Sequence, residues 1–545
     1  MAKISKITID QYRSVKHAEI SFSENAPLVI MGENNAGKSN IVKAIDLVLG
    51  EYYPKNYEPE ENDFYFRDQT KPISIKIDFS ENLGRFQNVR WSYNANNNDN
   101  PVSFIGTDEY GKETWPKNED RAELICITVG ADRRLAYQLS YTSKSTMLSK
   151  LMNRFYKAMQ SDQSVKSALE EKFAEIKGEF QKIEQFKIFR ESLRADFSDL
   201  ISSMSHKLDV DFEAYNPVNF FHALRLQADE EGKPRTLEEL GTGEEQILAL
   251  AFAHAYAKAF HGGVLLAIEE PESHLHPLAQ EWLAKKIEKM CFDGMQVILT
   301  THSVAFVNIL YLSNLVLVRK NAEGTLIVQK TKSQLVDYCR KHGVPESRTN
   351  EENIGEFYNA NANKQILEGF FSRKIVLVEG PTESLSLPIY LEAVGLDTRR
   401  EGIAIIPVQG KGNIAKWWRL FTAFEIPVYV IFDNDKDDDE DGKKRRDILN
   451  TIGVANHNDF LKVTDIQIQN QFAIFGNDYE TCMRNLFDHY SEYESQARDL
   501  IDSGAKPFTA RFVARKLADN GVIGNGWDRM KELAMKIKCL EITRG

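Results

Sequence analysis

Met31-Gly-Glu-Asn-Asn-Ala-Gly-Lys-Ser39 is the stretch that decides how the chain around it must fold. Gly32, four residues, then Gly37-Lys38-Ser39 is the pattern of a loop that cradles phosphate. The run Leu28 to Met31 before it is a short apolar strand, and Asn40 to Leu49 after it has helical spacing ending at Gly50. A loop joining a strand to a helix amino terminus closes backbone N–H groups around the β-phosphate of a nucleotide. Lys38 then reaches the β- and γ-phosphates, and Ser39 offers its hydroxyl to Mg²⁺. Gly32, Asn35, Gly37, Lys38, Ser39 and Asn40 are the candidate nucleotide contacts.

Three later stretches belong with this loop. Leu240-Gly-Thr-Gly-Glu-Glu-Gln246 is a Gly-rich turn opening a helix, so Gly241, Gly243 and Glu244 are placed to meet an anion. Val264 to Ile268 is a buried strand ending in Glu269-Glu270-Pro271-Glu272, and carboxylates at a strand's carboxyl end suit a magnesium partner and a water-polarising base. Gln296 to Thr300 is a strand leading into Thr301-His302-Ser303. His274 and His276 beside these glutamates invite a metal reading, but structural or interface imidazoles fit better.

Together these residues resemble an ATP-binding-cassette ATPase of the SMC-like branch. Lys38 and Ser39 match its Walker A positions, Leu240 to Glu244 its signature loop, Glu269 and Glu270 its Walker B pair, and His302 its switch histidine. The resemblance implies ATP held between two heads, with one Mg²⁺, and Glu270 as catalytic base. Glu269 stands where such proteins usually carry aspartate, which is compatible with sound binding and slow hydrolysis. No glutamine-loop residue stands out; Asp63 and Gln69 are the candidates.

Residues 1–141 and 209–345 read as the two halves of this ATPase. Strands are expected at Lys3 to Ile9, His17 to Phe22, Ile73 to Phe79 and Leu124 to Val129, with loops and hairpins from Glu81 to about Asn118. Asp132, Arg133 and Arg134 read as surface ion pairs rather than nucleotide contacts. Residues 142–208 are a helical insertion whose narrow apolar stripe suits dimerisation or packing on its own domain. Residues 346–371 are a connector.

A second α/β domain spans 372–545. Ile375 to Val378 is an apolar strand ending on Glu379, with Glu383 four residues on at the start of a helix. Ile403 to Val408 ends in Gln409-Gly-Lys-Gly-Asn413, and Pro427 to Phe432 ends in Asp433-Asn434-Asp435. Strands separated by helices predict a parallel sheet, which brings Glu379, Glu383, Asp433 and Asp435 to one edge. Carboxylates gathered without Cys or His are a site for a hard cation, Mg²⁺ or Mn²⁺. The run Lys436 to Arg446 behind them reads as a solvated loop, with guidance of a DNA backbone by Lys443 to Arg446 as the alternative.

The E-G-x-x-E of Glu379 to Glu383 and the D-x-D of Asp433 to Asp435 resemble a Toprim domain. An ATPase head followed by Toprim is similar to the OLD (overcoming lysogenisation defect) nucleases, which include the nuclease subunit of the Gabija anti-phage system. That resemblance implies a metal-dependent DNA endonuclease governed by nucleotide, with two ions at the Toprim site. It adds Asp478 or Glu480 as a further metal ligand and Lys506 as a catalytic charge on the scissile phosphate. It implies a homodimer or homotetramer acting on DNA, with a helicase, or a reverse transcriptase with its nucleic acid, as defence partners. An SMC-type DNA clamp without nuclease activity and a Toprim primase or topoisomerase are the alternatives.

Composition agrees with an enzyme rather than a nucleic-acid coat. The 545 residues carry a formal charge of −12, with 42% apolar and 27% charged residues. Non-specific DNA affinity comes largely from basic surface. A chain of this length suggests roughly three or four domains. The five cysteines are scattered singly, as in a reduced protein. No apolar run is long enough to span a membrane, and the amino terminus lacks the apolar core of a secretion signal, so a cytoplasmic location is expected.

Overall fold

Strict alternation in Ile73-Ser-Ile-Lys-Ile-Asp-Phe79 makes it a strand with one buried face. The computed structural model describes residues 2–541 apart from 24, 51, 98–99, 122, 130–182, 201–205, 213–223, 231–232, 236–246, 249, 252–253, 256–262, 274, 436–438, 440, 456 and 501–504. These residues form two compact units, Met1–Phe306 with Asn314–Ile327, and Val307–Ser313 with Val328–Gly545. Among the described residues no helix is long and apolar enough to cross a membrane.

In the first unit, β1 (Lys3–Tyr12), β2 (Val15–Ser21), β4 (Ile73–Leu83), β5 (Phe86–Tyr93), β6 (Val102–Asp108) and β7 (Glu113–Thr114) form one sheet in the order β2-β1-β4-β5-β6-β7. The hairpins expected after Glu81 are β5–β6 and β6–β7, and Phe86, Val89, Trp91, Val102 and Phe104 bury one face of them. A second sheet holds β3 (Leu28–Gly32), β8 (Leu124–Val129), β12 (Gly263–Glu269), β13 (Gln296–Thr301), β14 (Leu315–Asn321) and β15 (Gly324–Gln329), in the order β15-β14-β3-β13-β12-β8. From β14 to β8 its pairings are parallel, so the carboxyl ends of β3, β12 and β13 share one edge. Helix α1 (Lys38–Leu49) buries Ile41, Ile45 and Val48 in a core shared with both sheets. Each such side chain contributes about 1.5–3 kcal/mol of burial.

The helical character expected of 142–208 is seen in α2 (Glu184–Leu200). Strands β9 (His206–Phe212), β10 (Leu224–Glu230) and β11 (Lys233–Arg235) then make a small antiparallel sheet, beginning just before the expected boundary. Residues 142–182, Asp132 to Arg134, and Gly241, Gly243 and Glu244 lie outside the described residues.

The second unit is built on β16 (Lys374–Val378), β17 (Ile403–Pro407), β18 (Val428–Phe432), β19 (Ile466–Ile468) and β20 (Phe472–Phe475), in the order β17-β16-β18-β20-β19. All but β19 run parallel. Their near-continuous apolar sequences follow from burial on both faces. Val376 and Val378 join the cluster of Tyr390, Trp527 and Met530, whereas Ile375 approaches Gly369 beside Phe421. Helices α4 (Lys332–Lys341) and α5 (Ile354–Asn359) precede the sheet and belong to this unit, with Tyr358 lying against Trp417.

The charged run after Asp435 is not simply a solvated loop. Lys443 to Arg446 open helix α8 (Lys443–Thr451), and Arg445 is 3% exposed. Its Nε donates to Asp439 at 2.9 Å, and Asp439 also accepts from the backbone N–H of Lys444 and Arg445. A buried guanidinium requires such a partner. Asp439→Ala leaves Arg445 uncompensated and is expected to cost about 3–5 kcal/mol, read as a lowered unfolding midpoint in thermal denaturation.

Candidate functional site

At the end of β3 the chain turns back on itself in conformations that few residues tolerate. Gly32, Asn35 and Gly37 have φ of 150°, 61° and 107°. A Cβ on Gly32 would lie 2.0 Å from the Val318 carbonyl oxygen, and one on Gly37 would lie 2.2 Å from Thr325 Oγ1. Gly37 caps α1 with no side-chain hydrogen bond, and the Asn40 N–H turns back to the Gly37 carbonyl at 3.1 Å, so it is the helix start at Lys38 and Ser39 that faces an anion. Asn40 braces the loop through Ser14 at 2.7 Å.

Lys38 is 6% exposed and donates to the carbonyls of Gly32 (3.1 Å) and Glu33 (2.9 Å). Its ammonium also lies 2.8 Å from His302 Nε2. Burial lowers the Lys38 pKa to about 8, against the pull of Glu270, Glu272 and Glu269. Burial, then Lys38, lowers that of His302, which keeps its imidazole a neutral acceptor. Ser39 Oγ donates to Glu269 at 2.6 Å. Glu270, in the left-handed region at φ 49°, stands 3.7 Å from His302, beyond hydrogen-bond range. The structure therefore gathers Lys38, Ser39, Glu269, Glu270 and His302.

Glu272 had no part in the sequence reading beyond its place in the acidic run. It accepts from the His302 N–H (2.6 Å) and from Thr301 Oγ1 (2.9 Å), which fixes the turn carrying the histidine, and burial raises its pKa. Its spacing from Glu270 gave no such signal. Asp63 is 2% exposed and holds Arg13 and Tyr57, a structural role, whereas Gln69 is exposed. His276 caps α3 (Pro277–Phe292) by accepting from the Leu278 N–H, and His274 lies outside the described residues.

The second unit gathers its carboxylates at the carboxyl ends of its parallel strands. Glu379 follows β16 and accepts from the Asp433 N–H at 2.9 Å, which ties two neighbouring strand ends together. Glu383 lies in the first turn of α6 (Pro381–Ala393), 8% exposed, and accepts from the Gly380 N–H. Asp435 donates its N–H to Asp433 Oδ1 at 3.3 Å. Between them, Asn434 is 1% exposed; its Nδ2 donates to the carbonyls of Phe460 (2.9 Å) and Val463 (2.7 Å), and its N–H to that of Gly476. Asp478 caps α9 (Tyr479–Leu486) through the Thr481 N–H, so its carboxylate is committed locally. Glu480 instead lies 3.5 Å from the ammonium of Lys506, and its charge raises the Glu383 pKa.

Sequence reading assigned nothing to Lys411, which fills the centre of this group. It follows β17 on a turn where Gln409 and Gly410 have φ of 60° and 110°. Its side chain is fully buried, with the ammonium 2.8 Å from Asp433 and 3.6 Å from Glu379. Burial alone would lower the Lys411 pKa, but the two carboxylates outweigh it and raise it. A lysine between glycines at a parallel strand end was the available signal. Burial, then repulsion from Asp433, raises the Glu379 pKa despite Lys411, and burial with Asp433 and Glu480 raises Glu383 to about 7. As the side chains stand, no three His, Cys, Asp or Glu among the described residues close on one point. The all-oxygen donors and their crowded negative charge nonetheless fit a hard divalent cation, with Lys411 supplying part of the needed positive charge.

A phosphate loop in a parallel sheet, followed by strand-end carboxylates in a second one, defines an ATPase domain joined to a Toprim domain. The chain belongs to the family described as AAA domain, putative AbiEii toxin, Type IV TA system, which matches residues 28–308, more than half its length. Residues 370–435 match the overcoming lysogenization defect protein-like TOPRIM domain. The OLD nuclease of Thermus scotoductus is 25% identical, over 79% of this chain and 82% of that protein. The Old nuclease of Escherichia phage P2 is 23% identical, over 95% and 91%. Endonuclease GajA of Bacillus cereus strain HuB5-5 is 22% identical, over 50% and 42%.

Two measurements follow from the Toprim carboxylates. Lys411→Met leaves Glu379 and Asp433 without their buried cation, and should cost the metal-free protein about 3–5 kcal/mol, read by thermal denaturation. Mn²⁺ should restore part of the loss. Glu383 has a folded pKa of about 7 against an ordinary 4.5, so the native state binds the extra proton. Its contribution to stability is full below pH 4.5 and is lost as the pH rises through about 7. Melting curves of metal-free wild type should therefore fall more steeply over this range than those of Glu383→Gln.

Proposed function

We propose that the chain is a DNA endonuclease whose Toprim carboxylates work with Mg²⁺ or Mn²⁺ and whose ATPase unit governs them through bound nucleotide. The observation that carries this reading is the meeting of Glu379 and Asp433 on the buried Lys411 ammonium at one sheet edge, with Glu383 near enough for the charge of Asp433 to raise its pKa. Glu379, Glu383, Asp433, Asp435 and Glu480 are the proposed ion ligands; Asp478, held as a helix cap, is the less available acid. Divalent ions held by these residues would supply the Lewis acidity for activating water and steadying the leaving 3′ oxygen. Water attacks phosphorus and gives up a proton to solvent, the P–O3′ bond breaks, and the leaving oxygen takes a proton from solvent.

The residues supply what surrounds that chemistry. Glu383, held by the Gly380 N–H in the first turn of α6, keeps its carboxylate at this edge to take an ion. Lys411 keeps Glu379 and Asp433 in place, and Lys506 offers its charge to the phosphate on leaving Glu480. In the ATPase unit Lys38, Ser39 and Asn40 take the nucleotide, Glu269 joins Ser39 at its Mg²⁺, and Glu270 and His302 face the γ-phosphate. The glycines of 241–244 complete a second head's site in a homodimer or homotetramer, with 142–208 as the dimerising insertion. Defence against phage, in the cytoplasm and with a partner that signals infection, is the role that this coupling suits.

The test is cleavage of supercoiled plasmid with Mg²⁺ or Mn²⁺, with and without ATP. Wild type should give nicked or linear DNA and Glu379→Ala none, while Lys38→Ala should cut without responding to ATP. Equal cutting by all three, or a ladder of relaxed circles, would overturn the reading.

A further inference from the structure

Helix α6 packs beside α11 (Lys506–Asp519), and at their outer edge lies a cavity of about 750 Å³. Arg511 and Arg515, one turn apart on α11, line it together with Arg399 from the turn after α6. None of the three guanidinium groups has a carboxylate partner among the described residues. By contrast, Arg484, Arg498 and Arg529 on other helices of this unit hold Glu494 and Glu532. Three uncommitted arginines in one groove of a chain with formal charge −12 are a local reversal of sign.

Two acids share the groove. Asp397 accepts from the N–H groups of its own turn at Arg399 and Arg400, and with Glu392 it leaves the three arginines a net excess of one positive charge in the groove. Leu385, Pro388 and Ile389 give the groove an apolar floor, suited to the faces of deoxyribose. Both walls start at the carboxylate edge. Glu383 immediately precedes Ser384, the first α6 residue of the groove, and Lys506, the first residue of α11, touches Glu480. Arg511 and Arg515 then lie roughly 8 and 14 Å further along α11, at about 1.5 Å per residue. This spans about two to four nucleotide steps of a strand.

We infer that the groove between α6 and α11 is the track along which one DNA strand reaches the Toprim carboxylates, its phosphates held by Arg399, Arg511 and Arg515. The inference rests on the nuclease reading and names the residues that deliver its substrate. A strand is favoured over a free nucleotide because the groove is continuous with the carboxylate edge through both helices.

The test measures binding of a fluorescent DNA duplex by full-length Glu379→Ala protein in Mg²⁺, across a series of salt concentrations, with plasmid cutting by the otherwise wild-type chain alongside. Adding Arg511→Glu and Arg515→Glu should weaken binding on the order of tenfold, and should lower the slope of log affinity against log salt by about 2. Arg511→Lys with Arg515→Lys should keep most of both. Should charge reversal prevent folding, Arg511→Gln with Arg515→Gln gives the same reading. An unchanged slope, or no DNA binding by the Glu379→Ala parent, overturns the track. If the wild-type chain still cuts plasmid in that case, the nuclease reading stands without it; absence of cutting overturns the nuclease reading itself.

Discussion

The ammonium of Lys411, buried between Glu379 and Asp433, is the contact on which the second unit depends. A parallel sheet brings its strand ends together whatever residues they carry, and here two of those ends carry carboxylates out of water. Their mutual repulsion at low dielectric would open the edge of the sheet. A fixed cation at the third strand end removes much of that repulsion. It also leaves the acids concentrated, with burial and crowding raising the pKa of Glu379 and of Glu383, which makes the edge a receptive place for further positive charge.

The ATPase unit solves a similar problem with different groups. Its phosphate loop requires a lysine close to several glutamates, and Lys38 is kept in place by loop carbonyls and by a neutral His302. Ser39 and Glu269 already touch. In the function proposed above both are ligand contacts, and on that reading the loop is held in shape by contacts that a nucleotide and its Mg²⁺ can replace.

The parts of the fold most legible in the sequence are those fixed by local pattern. Gly32 to Ser39 combines glycine spacing with an apolar strand and a helix, and the strands ending at Glu379 and Asp433 are apolar runs that stop at a carboxylate. Glu379, Glu383 and Asp433 could be assigned together because parallel order alone brings strand ends to one edge. Lys411 and Glu272 escaped notice because their significance lies in what they meet across long separations. Lys411 meets residues from two other strands, and Glu272 braces a turn 30 residues away. Composition misled at Lys436 to Arg446, where a charged run concealed the buried pair of Arg445 and Asp439.

Asn434 sets the other limit on sequence reading. A D-x-D pattern treats its middle position as free, yet here that residue is more deeply buried than either aspartate and is tied to three backbone carbonyls by its own N–H and amide. Its carbonyl in turn accepts from Arg445. The wildcard of the motif is therefore the anchor of the segment, and the two acids take their direction from it. A sequence search that scores only the aspartates would accept chains in which this segment has lost its hold on the interior.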